Sequence, residues 1–433
     1  MQKYSKYNYL FQHNDKYFIF NSISHFFAEL DKEAFDELKS TESCICEDIA
    51  KFPSELQGAK IFLSEEEEKD ELNKIKYATY NRRFQNRHAT FVITPTYQCN
   101  YNCIYCYEES RPAVYMDDTT ENNLVELVKQ MRLDGFHITW FGGEPLLNFK
   151  RIKSLTEKIL ALGINYDADI ITNGYLLTED KLSMFEKLRI SSIQLTIDGI
   201  KEEHDKRRPH VSGASSFDKI MENLDNFFSK ERNIKMNIRV NIDKNNEEQF
   251  YYLYSLLKNN YPKIDISPSF VFIKDKNCAS YANCMNSGLE KLNFNLEFAK
   301  KMDKPFYVYP EQRPNECIAR SAFSFVIGAN GDIFKCYENI GNAEKRIGNI
   351  NTNEFNFELY ARWIMGADPL TDEKCLDCKL IPVCHGACPM LRLENEHAGT
   401  EIYNPCHMMK DIEEKILTLH LEQKEIYLKQ KQP

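Results

Sequence analysis

Ten of the 14 cysteines in this chain of 433 residues fall into two spaced groups, and those groups carry most of its chemical potential. The first is Cys99-Asn-Tyr-Asn-Cys103-Ile-Tyr-Cys106. Three thiolates in one tight loop can ligate three irons of a cubane cluster and leave the fourth iron open to another ligand. A structural metal site is instead closed by four protein ligands. The same spacing also suits a zinc ion that borrows its fourth ligand from elsewhere. The second group is Cys317, Cys336, then Cys375-x2-Cys378-x5-Cys384-x3-Cys388, then Cys406. Seven ligands exceed one four-coordinate site and fall one short of two; a zinc ribbon would use four and leave three idle. Cys278 and Cys284 read as ordinary loop thiols, with closure of an open iron as the alternative. Cys44 and Cys46 receive no role. A further constellation is Trp140-Phe-Gly142-Gly143-Glu144-Pro145. Paired glycines let a ligand approach the backbone closely, and Glu144 with neighbouring carbonyls can receive an ammonium group.

These residues need a scaffold. From Phe91 to about Phe272, short β-branched apolar runs alternate with helical patterns. The expected strands are Phe91–Thr94, His137–Phe141, Ala168–Thr172, Ser192–Ile197, Met236–Ile242 and Ile266–Phe272. Between them, Leu124, Leu127, Val128 and Met131 recur at helical spacing behind Asp118 as cap. Thr178 is placed to cap a second helix, and Asp218–Phe228 is a third. Alternating β and α implies a parallel sheet with helices outside. Six such units suit an α/β fold, a partial (β/α)6 barrel, in which function collects at the C-terminal strand ends. The first cysteine loop and the Gly142–Pro145 turn both sit there.

Residues 1–83 read as a small α+β domain. Tyr7–Phe11 and Tyr17–Phe20 form a hairpin around His13–Lys16. Helical patterns follow at Phe26, Phe27 and Leu30 and at Phe35 and Leu38, then a solvated helix or linker from Glu65 to Arg83. The barrel is assigned to 91–305 and a loop-rich, metal-dependent domain to 310–407. A C-terminal helix fills 408–433. At roughly 150 residues per domain, this count suits the length.

Composition removes other classes. A net charge of −10 offers no phosphate-binding surface, and the short mixed run Lys201–Arg208 reads as a solvated loop or helix start. No run nears the ~20 apolar residues of a membrane span. The N-terminus lacks a signal-peptide core, so a cytoplasmic location with reduced thiols is expected. Nucleic acid and membrane are therefore not expected partners.

The pairing of C-x3-C-x2-C with GGEP resembles the radical S-adenosylmethionine superfamily over about 91–272. The resemblance implies a [4Fe–4S] cluster on Cys99, Cys103 and Cys106, whose open iron chelates the cofactor's amino and carboxylate groups. Gly142, Gly143, Glu144 and Pro145 would line the methionine amine, and Tyr105 would lie near the adenine. Thr172-Asn173-Gly174 and Thr196-Ile-Asp198-Gly199 sit where the family places polar groups on the cofactor. The family often has Ser at Thr196; the hydroxyl is kept. HDKRRP resembles a further family element, in which Arg208 would meet the cofactor carboxylate or else form a surface salt bridge. One electron from the cluster would cleave S-adenosylmethionine to a 5′-deoxyadenosyl radical. Low cluster potentials, reaching about −700 mV, suit that step.

The later cysteines are similar to the SPASM extension of that superfamily. This implies two auxiliary [4Fe–4S] clusters, one on Cys375, Cys378, Cys384 and Cys406 and one on Cys317, Cys336 and Cys388. Tyr337 and Glu338, beside the latter set, are the candidate catalytic residues. Residues 1–83 resemble the winged-helix leader-recognition domain of peptide-maturing members, whose leader adds as a strand. The expected function is therefore an oxidative crosslink, thioether or carbon–carbon, in a ribosomally made precursor peptide. A flavodoxin- or ferredoxin-type donor would supply electrons. The alternative is anaerobic sulfatase maturation to formylglycine. That group typically has an extra cysteine shortly after the equivalent of Cys317 and an Asp after the equivalent of Cys336. Here Ile318–Phe325 has no cysteine, and Tyr337 follows Cys336. A third reading is a non-catalytic, zinc-stabilised peptide-binding protein.

Overall fold

The six apolar runs form six parallel strands, laid down in the order in which they occur in the chain. The computed structural model describes residues 2–41, 45–46, 52–106, 108, 112–270, 284–285, 287–302, 316–384, 386–399, 403–406 and 409–430. The strands are β1 (His88–Ile93), β2 (Gly135–Trp140), β3 (Asn165–Thr172), β4 (Ile190–Thr196), β5 (Lys235–Ile242) and β6 (Asp265–Phe270). Each pairs in parallel with the next. Alternation sets the faces: Phe136, Ile138 and Trp140, Ala168 and Ile170, Ile193 and Leu195, and Ile238 and Val240 are all buried. The intervening Thr139, Asp169, Gln194 and Arg239 are half-buried. Each fully buried aliphatic or aromatic side chain contributes about 1.5–3 kcal/mol.

The helices between strands are α1 (Asp118–Met131), α2 (Phe149–Leu160), α3 (Glu179–Phe185), α4 (Lys201–Arg207), α5 (Ser216–Phe228) and α6 (Glu247–Asn260). The cap of α1 is Asp117 rather than Asp118; its side chain accepts from the Thr120 N–H. Thr178 stands at the cap of α3, but its hydroxyl meets Asp180 rather than a backbone N–H.

The sheet continues past β1. β7 (Phe325–Ile327) joins β1 in parallel, followed antiparallel by β8 (Asp332–Phe334), β9 (Gly348–Asn349) and β10 (Glu354–Phe355). The order is β6-β5-β4-β3-β2-β1-β7-β8-β9-β10. Residues 85–286 and 321–363 make one compact unit; 1–84, 287–320 and 364–433 make another.

In the second unit, strands Asn8–His13, Lys16–Asn21 and Phe27–Leu30 form an antiparallel sheet. Its two-residue turn, Asn14-Asp15, takes positive φ at both positions, as a type I′ turn requires. Phe27–Leu30 is thus a strand, where the apolar pattern suggested helix; four residues fit either period, and pairing with Tyr17–Phe20 decides. Helices cover Lys32–Thr41 and Glu65–Arg83, the latter opened by a Ser64/Glu67 capping box. The C-terminal helix, Glu413–Gln430, buries Ile416 and Leu417. Cys44 and Cys278 lie outside the described residues; Cys284 is buried.

One buried ionic network joins the three segments of this unit. Arg83, with a 1% exposed side chain, donates to Glu316 at 2.7 and 2.9 Å and to Asp368 at 2.8 and 3.2 Å. Burial alone would raise the Asp368 carboxyl, but hydrogen bonds from Arg83 outweigh it and hold it below the usual carboxylate range. Arg83→Met removes the shared cation from two buried carboxylates and is expected to lower unfolding free energy by about 3–5 kcal/mol in urea titrations. Asp368's share is complete above the usual carboxylate range and fades as pH falls through its lowered folded value. The variant should flatten that acid limb.

Candidate functional site

The chain leaves β1 and runs through Cys99, Cys103 and Cys106 as a loop clamped on both sides. On one side Glu144 N–H donates to Gln98 O (2.9 Å) and Gly143 N–H to Thr96 O (3.4 Å). On the other, Asn102 N–H meets Pro209 O (2.9 Å), Ile104 N–H meets Arg207 O (3.0 Å) and Val211 N–H meets Asn100 O (3.0 Å). All three thiols are part-exposed. Cys99 Sγ accepts from the Tyr101 N–H at 3.4 Å and from Asn173 Nδ2 at 3.9 Å, as a thiolate would.

The glycine pair has a different reason from the one expected. A Cβ on Gly143 would stand 2.3 Å from Gln98 O and 2.5 Å from Tyr97 O. At Gly142, with φ of +120°, it would meet Thr94 Cγ2 at 2.3 Å. The approaching backbone is the cysteine loop itself. Glu144 is also spoken for: fully buried, it accepts from Thr172 Oγ1 (2.7 Å), Leu146 N–H (3.1 Å) and Asn173 N–H (2.8 Å). Burial pushes its carboxyl up despite those donors. Pro145 opens the single turn Pro145–Asn148 behind it. An incoming ammonium is left with the backbone carbonyls of this turn as acceptors. Asn173 also donates to Asn100 Oδ1 (2.7 Å), and Thr196 is buried at the end of β4.

A second polar cluster closes the ends of β4 and β5. The Tyr105 hydroxyl donates to Asp198 and accepts from Arg208 Nη1 (2.5 Å) and Asn241 Nδ2 (2.9 Å). Burial drives its phenol well above the usual range. Arg208 is buried rather than a surface ion pair. Burial would lower its guanidinium, but the neighbouring Cys103 sulfur, Tyr105 and Asp198 outweigh this and raise it. Lys201–Arg208 is therefore only half solvated: His204 and Arg207 are buried as well. Burial, then Arg208, pushes His204 down to about 3, so the ring is neutral at pH 7 and its Nδ1 accepts from the Asp198 N–H (3.2 Å). Arg207 binds Asp243 at 3.0 Å and lies 5.5 Å from the Tyr105 ring centre. Sequence reasoning missed Arg207, Asn241 and His204; the signal available was Asn241-Ile-Asp243 closing β5 as Thr196-Ile-Asp198 closes β4. Tyr337, exposed, packs edge-on against Phe141, ring centres 5.6 Å apart, beside Gly142. Glu338 follows it on the single turn Tyr337–Asn339.

Cys375, Cys378, Cys384 and Cys406 all belong to the other unit. Burial pushes the thiols of Cys375, Cys378 and Cys406 up, and each feels the charge of Cys384 as well. Among the described residues, no three Cys, His, Asp or Glu side chains are spaced to hold a single metal ion. Arg392, not anticipated from sequence, donates to Cys375 Sγ at 2.8 Å. Cys317 and Cys388 share this unit, and Cys336 belongs to the sheet unit.

Residues 93–257 match the Radical SAM superfamily model. The chain is an enzyme that carries a radical SAM domain over these residues. It is 23% identical over 345 residues to the serine-type anaerobic sulfatase-maturating enzyme of Bacteroides thetaiotaomicron, covering 70% of this chain and 82% of that protein. The fold is shared with anSMEcpe bound to AdoMet and Cp18Cys peptide (TM-score 0.61, 17% identity, 78% of this chain and 98% of that one). It is also shared with Streptococcus suis SuiB bound to precursor peptide SuiA (TM-score 0.54, 16% identity, 95% and 100%). No helix among the described residues is long and apolar enough to cross a membrane.

In this radical SAM enzyme, Gly143→Ala should displace the cysteine loop, because both contacts within 2.5 Å are backbone oxygens. Anaerobic reconstitution should then yield about four fewer irons per chain, with far-ultraviolet circular dichroism unchanged.

Proposed function

We propose that this enzyme matures a peptide, forming an oxidative crosslink, thioether or carbon–carbon, in a ribosomally made precursor. The observation that carries the proposal is the extent of the shared fold. The likeness to SuiB spans 95% of the chain, whereas that to anSMEcpe spans 78%. A precursor leader would add as a strand to the sheet in residues 1–83, where backbone hydrogen bonds give affinity. Tyr337, edge-on to Phe141 beside the glycine pair, supports the same reading, since the sulfatase group typically has Asp at that position.

In this reading Cys99, Cys103 and Cys106 hold the first [4Fe–4S] cluster, and S-adenosylmethionine lies along Gly142, Gly143, Pro145, Asn173 and Thr196. Cluster and cofactor together supply a 5′-deoxyadenosyl radical that abstracts hydrogen from the substrate. Arg208 offers positive charge toward the carboxylate of the bound cofactor, and Tyr105 is held at the ends of β4 and β5 near the adenine. Glu144 positions the glycine turn rather than binding the amine through its carboxylate. Tyr337 and Glu338, on the turn that packs against Phe141, are the candidates for proton handling. The seven later cysteines hold two auxiliary clusters, and a flavodoxin- or ferredoxin-type protein delivers electrons.

The sulfatase-maturating relative favours a second reading, oxidation of one Cys or Ser to formylglycine. Mass spectrometry decides between them. A candidate precursor peptide and a Cys-containing sulfatase-type peptide are each incubated with S-adenosylmethionine and reductant. Crosslinking removes two hydrogens, about 2 Da, and leaves a linked fragment; an aldehyde on the sulfatase-type peptide alone overturns it. Anaerobically purified protein should be brown with about twelve irons per chain. Colourless, zinc-loaded protein would end both enzymatic readings.

A further inference from the structure

The Arg392 guanidinium is divided among three partners, and the division has an electrostatic consequence. Nη2 donates to Cys375 Sγ at 2.8 Å, Nη1 to Asp372 Oδ2 at 2.8 Å and Nε to Gly386 O at 2.8 Å. The side chain is only 12% exposed. It projects from helix Pro389–Ala398, one turn after Cys388, whose carbonyl accepts the Arg392 N–H at 3.4 Å. Asp372, its counter-ion, caps the four-residue helix Glu373–Leu376 that carries Cys375, accepting from the Lys374 and Cys375 N–H groups. One cation thus bonds directly to one sulfur of the four-cysteine set, and one carboxylate offsets part of its charge. The apolar side of the same set, Cys378 and Cys384, faces Tyr9, Phe20, Leu380 and Val383.

We infer that Arg392 is a potential-setting residue for the auxiliary cluster, and that Asp372 opposes it; this rests on the reading that Cys375, Cys378, Cys384 and Cys406 ligate that cluster. Adding an electron makes a thiolate-ligated cluster more negative. A charged donor on a ligand sulfur stabilises the reduced form more than the oxidised form, and so raises the reduction potential. Hydrogen bonds to sulfur, net charge and exposure are the protein's means of setting such potentials. The auxiliary cluster becomes a better electron acceptor than its thiolates alone would make it, which suits an oxidative reaction.

The pair gives effects of opposite sign. Arg392→Met should lower the potential. Arg392→Lys keeps the charge without the planar fork and should fall between. Asp372→Asn keeps the capping oxygen but releases the guanidinium from its counter-charge, and should raise the potential. The measurement is an EPR-monitored redox titration of the full chain in a Cys99→Ala/Cys103→Ala/Cys106→Ala background, with iron counted in every variant. Cys375→Ala identifies the signal that belongs to this set. A mere structural staple would lose iron in both Arg392→Met and Asp372→Asn, without opposite shifts, and that result overturns the inference. Full iron with unmoved potentials overturns it too, leaving the four-cysteine reading intact. An iron content and spectrum insensitive to Cys375→Ala overturns the reading itself, and the inference with it.

Discussion

One buried carboxylate holds the initiating site together. Glu144 sits after β2, takes hydrogen bonds from Thr172 and Asn173 at the end of β3, and offers its own N–H to Gln98 in the cysteine loop. Three consecutive strand ends are thereby fixed to one another. An unpaired buried carboxylate would cost several kcal/mol; here Thr172, Asn173 and Leu146 satisfy it, so the ends of β2 and β3 must stay in register. The glycines before it are the steric counterpart, since any side chain at position 143 would collide with loop carbonyls. The motif is therefore a device for seating the cysteine loop.

The charges around Tyr105 follow the same logic in reverse. Arg207 and Arg208 are both buried, a costly placement unless paired. Asp243 binds the first directly, while Tyr105, backed by Asp198, takes the second. Arg208 also feels Cys103. Burial of the cation keeps water from screening it, so Arg208 presents fixed positive charge beside Cys103. Neutral His204 adds no competing charge; it orients the Asp198 backbone instead.

The six strands were legible because buried parallel strands read as short β-branched runs, each one side of a helical repeat. The cysteine loop and the Gly142–Pro145 turn were legible as two motifs at neighbouring strand ends, but the glycines admit the loop's backbone where a ligand was expected. What was hidden depended on partners distant in sequence. Lys201–Arg208 looked solvated because charge patterning cannot show that Tyr105, far earlier in the sequence, covers two of its arginines. Phe27–Leu30 looked helical because its period is too short to decide without Lys16–Asn21. The segment 310–407 read as a metal-held loop region, yet Phe325–Ile327 completes a parallel pairing with β1. Three residues carry too little pattern to announce a strand. Arg392 carried no motif at all: its meaning lies in one contact with Cys375.

The N-terminal hairpin and the four-cysteine segment share one core. Tyr9, Phe11, Phe18 and Phe20 pack with Leu380, Val383 and Leu417, against Cys378 and Cys384. Ser22 donates to Lys379 O at 2.6 Å, and Lys379 to Asn8 O at 3.2 Å. Free energy of metal binding at such a segment is also folding free energy for whatever packs upon it. Cys378 and Cys384 pack against this apolar core, while Arg392 brings positive charge to Cys375. The hairpin's aromatic residues therefore set the polarity on one side of the cysteine segment, and the guanidinium sets it on the other.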